Sequence, residues 1–240
     1  MLGKPNRSDR EDLVAVDSVY GENTEMYLKT LVELTADREV VPVTGLAQRL
    51  GISTVSASEK VRRLQDQGFV EHLPYKGVSL TGAGLKRANT VLRRHRLWER
   101  FLVDHLGVEW QHAHDAACRL EHATSREISE RLALFLGEPE TCPHGNPIPS
   151  AEAESSLAQG MRLIELDVPS RIEVVSVFPE STKLLESAAS LGLLPGKVCE
   201  IDSFAKDEIT TQATVNGQKV QISNEVAAHL YIRPLSEGTA

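Results

Sequence analysis

Histidine, cysteine and glutamate are the side chains that hold transition metals, and four of them fall on one stretch that reads as helix: His114, Cys118, Glu121 and His122. At about 100° per residue they lie within roughly a quarter to a third of the helix circumference, so two imidazoles, a thiol and a carboxylate share a face. His95 and Glu99 form a second pair, one turn apart on the helical stretch before it. A lone helical histidine is ordinarily a surface or core residue. Ligand-type residues in two one-face arrays on consecutive helices point instead to a bound ion. The mixed N, O and S set suits Fe(II), Co(II), Ni(II) or Zn(II) better than Ca(II) or Mg(II). Such a site needs a thiolate and neutral imidazoles, so its affinity should fall at low pH. Cys142 and His144 are a further candidate pair, but their place in Cys142-Pro143-His144-Gly145 favours a structural turn. His72, His105, His112 and His229 belong to no ligand array.

The elements that must carry these residues follow from periodicity and punctuation. Met26, Tyr27 and Leu28 leading into Leu31, Val32 and Leu34 have the spacing of an amphipathic helix, capped near Asn23 or Thr24. The run from Thr44 to Ser53 reads as a short helix, a turn at Gly51 and the Ser53 N-cap of another helix reaching about Gln67. Ala57, Val61 and Leu64 share the inner face of that helix and leave Ser56, Glu59, Lys60 and Arg63 outward, as a reader of the DNA major groove requires. A hairpin follows, Gly68–Leu73 and Val78–Leu80 about a Pro74-Tyr75-Lys76-Gly77 turn, with Lys76 at the tip to touch a phosphate. Beyond Thr81 the pattern predicts a long helix to about His105, then helices over Trp110–His122 and Ser125–Leu136. From Arg171 short β-rich runs replace it, at Ile172–Phe178, Val198–Ile201, Thr210–Val215, Lys219–Ile222 and Tyr231–Arg233, with one helix at Lys183–Ser190.

The expected architecture is mainly α with a small β domain. It comprises a loose arm over 1–23, a winged helix-turn-helix over 24–80, a helical metal-binding and dimerisation domain over 81–150, and an SH3-like barrel over 160–235, after a polar linker at Ser150–Gln159. The net charge of −8 conceals an asymmetry: residues 24–100 carry 13 Lys and Arg against 8 Asp and Glu, whereas residues 101–240 carry 10 against 21. A basic block on an acidic body suits a protein that sets one face against phosphates. No apolar run approaches the roughly 18 residues of a membrane span, and Met1 to Asp12 is unlike a signal peptide, so a cytoplasmic location is expected. Cys118, Cys142 and Cys199 are too few and too scattered for a disulfide framework.

These residues resemble the diphtheria toxin repressor family of iron- and manganese-dependent regulators. The similarity runs from Thr24 to Leu235 and is carried by Thr24-Glu25-Met26-Tyr27-Leu28, His95-Arg96-Leu97-Trp98-Glu99-Arg100, the run His114 to His122, and Gly145-Asn146-Pro147-Ile148-Pro149. The resemblance implies a primary, regulatory metal site of Met26, Cys118, Glu121 and His122, and an ancillary site of His95, Glu99 and His114, with Glu180 as its candidate ligand from the SH3-like domain. It also implies that Ser53, Val55, Ser56 and Glu59 lie on the recognition helix. Glu59 stands where close relatives carry glutamine, and a carboxylate accepts from a cytosine amino group but cannot pair bidentately with adenine.

The expected function is a homodimeric repressor, joined through the middle helices and not an enzyme, that binds palindromic double-stranded operator DNA when loaded with Fe(II) and controls metal homeostasis genes. Other divalent transition metals can substitute. A Mn(II)-responsive regulator of manganese transport is the nearest alternative. A non-haem metalloenzyme, using two histidines and a carboxylate, and a metal-independent DNA-binding scaffold are readings of other classes.

Overall fold

In a computed structural model, residues 21–35, 39–150, 153, 160–204, 210–215 and 217–235 are described. Most of the expected arm over 1–23 and of the Ser150–Gln159 linker lies outside them. The chain divides into two compact units: one holds residues up to Trp98, Ala117–Pro139 and the stretch from Ile148, and the other holds Glu99–Ala116, Glu140–Pro147 and the C-terminal part.

In the first unit, α1 (Glu22–Leu34) buries Leu28, Leu31 and Val32 against α2 (Val43–Leu50) and its neighbours. Helix α2 ends where Gly51 turns left-handed at φ 67°, a conformation that costs glycine nothing. Two residues on, Ser53 Oγ accepts the Ser56 amide at 3.1 Å and starts α3 (Thr54–Asp66). The expected inner face is the observed one: Ala57, Val61 and Leu64 are buried. Strands β1 (Val70–Leu73) and β2 (Gly77–Leu80) pair antiparallel as the wing. Val41 clamps β2 from the other side, exchanging both backbone hydrogen bonds with Val78 at 2.8 Å.

The long helix α4 (Gly82–Asp104) runs through the boundary between the units, so that His95 belongs to the first and Glu99 to the second. The next predicted helix, over Trp110–His122, is three pieces. A 3₁₀ turn at Trp110–His112 leads into α5 (Ala113–Leu120), and Glu121–Ala123 is again 3₁₀. The regular winding stops because Thr124 turns extended, its hydroxyl donating to the Leu120 carbonyl at 2.7 Å and accepting from Trp98 Nε1 at 2.7 Å. Ser125 caps α6 (Arg126–Phe135).

The second unit is built on an antiparallel six-stranded sheet of β3 (Met161–Arg162), β4 (Ser170–Val177), β5 (Val198–Phe204), β6 (Thr210–Val215), β7 (Gln218–Ser223) and β8 (Leu230–Pro234). The strand order is β3-β8-β4-β5-β6-β7. Helix α7 (Thr182–Ser190) and the short α8 (Asn224–Ala227) complete it, and Leu163, Ile172, Val174, Leu185, Ile201 and Ile232 are among its fully buried side chains. The predicted strands and helix fall within a few residues of these.

Gly77 tests the wing. At φ 138° a Cβ there would stand 2.2 Å from the Val41 carbonyl oxygen, a backbone atom that cannot move aside. Gly77→Ala should destabilise the protein by about 1–3 kcal/mol in urea titration; an unchanged midpoint would show that the Val41 clamp is loose.

Candidate metal centre

In the first unit, residues from α1, α4 and the 3₁₀ turn meet around Glu121, which is fully buried. Lys29 Nζ donates to Glu121 Oε2 at 2.9 Å and Oε1 at 3.2 Å, and to Cys118 Sγ at 3.7 Å. His95 Nδ1 lies 2.6 Å from Glu121 Oε2. The 3₁₀ winding delivers Glu121 here while His122 turns toward Glu25, whose Oε2 is 2.9 Å from His122 Nδ1. Glu25, 4% exposed, also pairs with Arg87 and, at 3.7 Å, with Arg94. Met26 is half-buried on α1, three residues before Lys29 and so on the same helical face.

Burial alone would raise the Glu121 pKa, but Lys29 and His95 outweigh it and hold the carboxylate below its usual range. Burial would likewise lower Lys29, and Glu121, then Cys118 and Glu33, raise it instead, so the lysine stays charged. For His122 burial is again overcome, here by Glu121 and Glu25, and its pKa rises to about 9. The two carboxylates flank the ring and favour its charged form. Nδ1 lies 2.9 Å from Glu25 Oε2 and Nε2 lies 3.2 Å from Glu121 Oε1. An imidazole between two carboxylates holds a cation at each nitrogen, either a proton or, on one side, a metal ion. A carboxylate that orients a histidine through its far nitrogen is the usual support of a metal-bound imidazole.

The second unit holds another such arrangement. One ligand atom each from Glu99, Cys142, His144 and Glu180, all buried, lie within 4.8 Å of one another. His144 Nε2–H donates to the Trp110 carbonyl at 2.9 Å, which turns the Nδ1 lone pair toward Glu99 Oε1 at 3.1 Å. Burial would lower the His144 pKa, and Glu99 and Glu180 raise it. Cys142 Sγ is 3.7 Å from Glu180 Oε1, and Asn146 donates to that same oxygen. His114 Nδ1 stands 3.5 Å from Glu99 and 3.4 Å from Glu180. The two carboxylates, the imidazole and the thiol form a donor set that fits a borderline divalent ion.

Cys118 and Glu121 share Lys29 as a contact and His122 Nε2 is 3.2 Å from Glu121 Oε1, while Glu99, His114 and Glu180 stand together in the second unit. His95 turns to Glu121. Cys142 and His144, read as a structural turn, stand among the ligand-type groups of the second unit; their i, i+2 spacing was the available signal. On α3, Ser53, Val55, Ser56, Glu59 and Arg63 are exposed, as is Lys76 on the wing. Lys60 folds back, donating to Thr24 Oγ1 at 2.8 Å and lying 5.9 Å from the Tyr27 ring, which ties α3 to α1.

Residues 20–78 match the family model of the iron-dependent repressor N-terminal DNA-binding domain, residues 81–150 that of the iron-dependent repressor metal-binding and dimerisation domain, and residues 161–234 the FeoA domain. The diphtheria toxin repressor of Corynebacterium efficiens is 34% identical over 221 residues, spanning 86% of this chain and 93% of its own. The chain belongs to the diphtheria toxin repressor family. The iron-dependent repressor IdeR of Mycobacterium leprae is 37% identical over 162 residues, 64% of this chain and 70% of its own. Among solved structures, ScaR with bound Zn2+ matches with a TM-score of 0.80 at 29% identity, covering 89% of this chain and 100% of that one. A manganese-dependent transcriptional repressor in complex with manganese matches at 0.78 and 30%, covering 88% and 100%. The protein is accordingly a metal-dependent transcriptional repressor with the three-part fold expected. A family of DNA-binding regulators leaves no place for the metalloenzyme reading. No helix among the described residues is long and apolar enough to cross a membrane.

Glu25 supplies a direct check on the geometry at His122. Glu25→Ala should weaken metal binding by about 10–100-fold in competition with a fluorescent chelator, through loss of the imidazole's support. Unchanged affinity would remove His122 from the ligand set.

Proposed function

We propose that this repressor is activated by Fe(II) held by Met26, Cys118, Glu121 and His122, and that it works in the cytoplasm on operators of metal homeostasis genes. The observation that carries this reading is His122 Nε2 standing 3.2 Å from the buried Glu121 carboxylate, with Cys118 and Lys29 beside them. The groups come from two parts of the fold: Met26 and Glu25 sit on α1 of the DNA-binding domain, while Cys118, Glu121 and His122 follow the long helix in the domain that dimerises. When bound, a divalent ion supplies the charge these donors share. Glu25 holds His122, and Glu121 holds α1 through Lys29, so α1 and the dimerisation helices are joined at one cluster. A ligand that binds only this joined arrangement shifts the population toward it, and with it the spacing of two α3 helices on a palindromic operator. Exposed Ser53, Val55, Ser56, Glu59 and Arg63 are assigned to DNA contact, with Lys76 on a phosphate.

The soft donors Met26 and Cys118 favour Fe(II), where hard oxygen donors would favour Mn(II). In the second unit Glu99, Cys142, His144 and Glu180, with His114 adjacent, are assigned to the ancillary ion. The division into a DNA-binding domain over 24–80, a metal-binding and dimerisation domain over 81–150 and an SH3-like domain over 160–235 is part of the same proposal.

A gel-shift titration on palindromic operator DNA tests the reading. Fe(II) should strengthen binding by about 5–150-fold, Cys118→Ala should abolish that gain, and Cys142→Ala should lower the metal stoichiometry while leaving part of it. Operator binding indifferent to chelator and to Cys118→Ala would refute metal control. Full activation by Mn(II) at concentrations where Fe(II) is inert would refute the choice of iron.

A further inference from the structure

Lys29 belongs to none of the ligand sets above, yet its ammonium sits among them. It is 2% exposed, on the face of α1 that also carries Met26. Its Nζ contacts both oxygens of Glu121, at 2.9 and 3.2 Å, and the sulfur of Cys118 at 3.7 Å; His95 Nδ1 is 3.1 Å away. That nitrogen is also 2.6 Å from Glu121 Oε2. Its proton is therefore committed to the carboxylate, and it cannot accept from the lysine as well. The acceptors of the ammonium are the carboxylate and the thiol, two members of the primary donor set.

We propose that Lys29 is a resident competing cation, holding Glu121 and Cys118 until a metal ion replaces it, and so setting the metal concentration at which the repressor responds. This rests on the assignment of Cys118, Glu121 and His122 to the primary site.

The geometry makes the two cations alternatives. An oxygen or sulfur bound to a divalent ion lies at about 2.0–2.3 Å from it. Lys29 already spans both Glu121 oxygens and the Cys118 sulfur, which is the face an ion bound to those atoms must take. Two positive charges side by side in a buried pocket would repel strongly. Lysine is suited to leaving: its charge rides on a flexible four-carbon stem that can carry the ammonium to water while the methylenes stay packed. Loading is then an exchange. Glu121 would give up a singly charged partner for a doubly charged one, and Cys118 would lose its weak contact and release its thiol proton to solvent to serve as a thiolate ligand.

The cost of expelling Lys29 is the same for every ion, so it shifts all affinities down together without changing their ratios. Ions low in the intrinsic order, Mn(II) foremost, are the first to drop out of the working range. A lysine that served only to balance Glu121 within the fold would instead stay in place on loading.

Anaerobic metal titrations of the full-length protein against a competing chelator, with Fe(II) and separately with Mn(II), test this. Lys29→Met keeps the side-chain length and removes the charge; it should bind both ions more tightly by roughly tenfold or more, and by a similar factor for each. Lys29→Arg, which keeps the charge, should show no gain. Unchanged or weaker binding by Lys29→Met would overturn the proposal. A second readout uses the unaltered protein and does not depend on any variant folding. Acetylation by an N-hydroxysuccinimide ester, mapped by peptide mass spectrometry, should leave Lys29 unmodified without metal and label it when Mn(II) is added. Lys29 protected to the same degree in saturating metal would overturn the exchange even if the affinities moved as expected. Wild-type metal affinity in Cys118→Ala would overturn the site assignment itself, a result distinct from either Lys29 outcome.

Discussion

A carboxylate that is fully buried cannot be left without a positive partner, because the protein interior screens charge far less than water does. Glu121 is such a group, and the first unit is arranged around it. Lys29 arrives from α1, His95 from α4, and His122 follows it in the chain with Nε2 3.2 Å from its oxygen. Each of these can satisfy the carboxylate only with a proton or a metal ion in the right place. The site is therefore a balance among cations, and whichever cation holds Glu121 also decides which elements are held together. In the proposed regulator, the charge partner of this one buried carboxylate would also fasten the DNA-binding helices to the dimerisation helices.

The same device is repeated in the second unit with different parts. The Trp110 carbonyl orients the His144 ring as Glu25 orients that of His122, and in each case the other ring nitrogen is turned against a carboxylate. Supporting oxygens at the far side of an imidazole set its orientation before any ligand is considered. The shared logic is a stronger reason to treat both clusters as cation sites than residue type alone, since buried histidines and glutamates also occur in ordinary ion pairs.

Much of this was legible from the residues. Ser53 and Gly51 punctuate the helix-turn-helix because a side-chain cap and a left-handed glycine are local requirements. The β-rich runs of the C-terminal domain likewise declare themselves by composition. The ligands of α5 were visible through helical spacing, but that spacing assumed one unbroken helix, and Thr124 ends it early through its bonds to Leu120 and Trp98. Cys142 and His144 looked structural because prolines surround them; only tertiary packing brings Glu99 and Glu180 to them. Lys29 gave no local sign at all, since a lysine in an amphipathic helix is ordinarily solvated.

The central claim is that Cys118 and Glu121 bind the regulatory ion directly. X-ray absorption at the metal edge of the Fe(II)-loaded protein, in a Cys142→Ala background so that Cys118 is the thiolate left in either cluster, tests it most directly. Direct ligation predicts sulfur scattering in the first coordination shell from Cys118 and Met26, with the short thiolate component lost on further substitution Cys118→Ser and only the Met26 thioether left. A shell of nitrogen and oxygen alone, unchanged by that substitution, would contradict it.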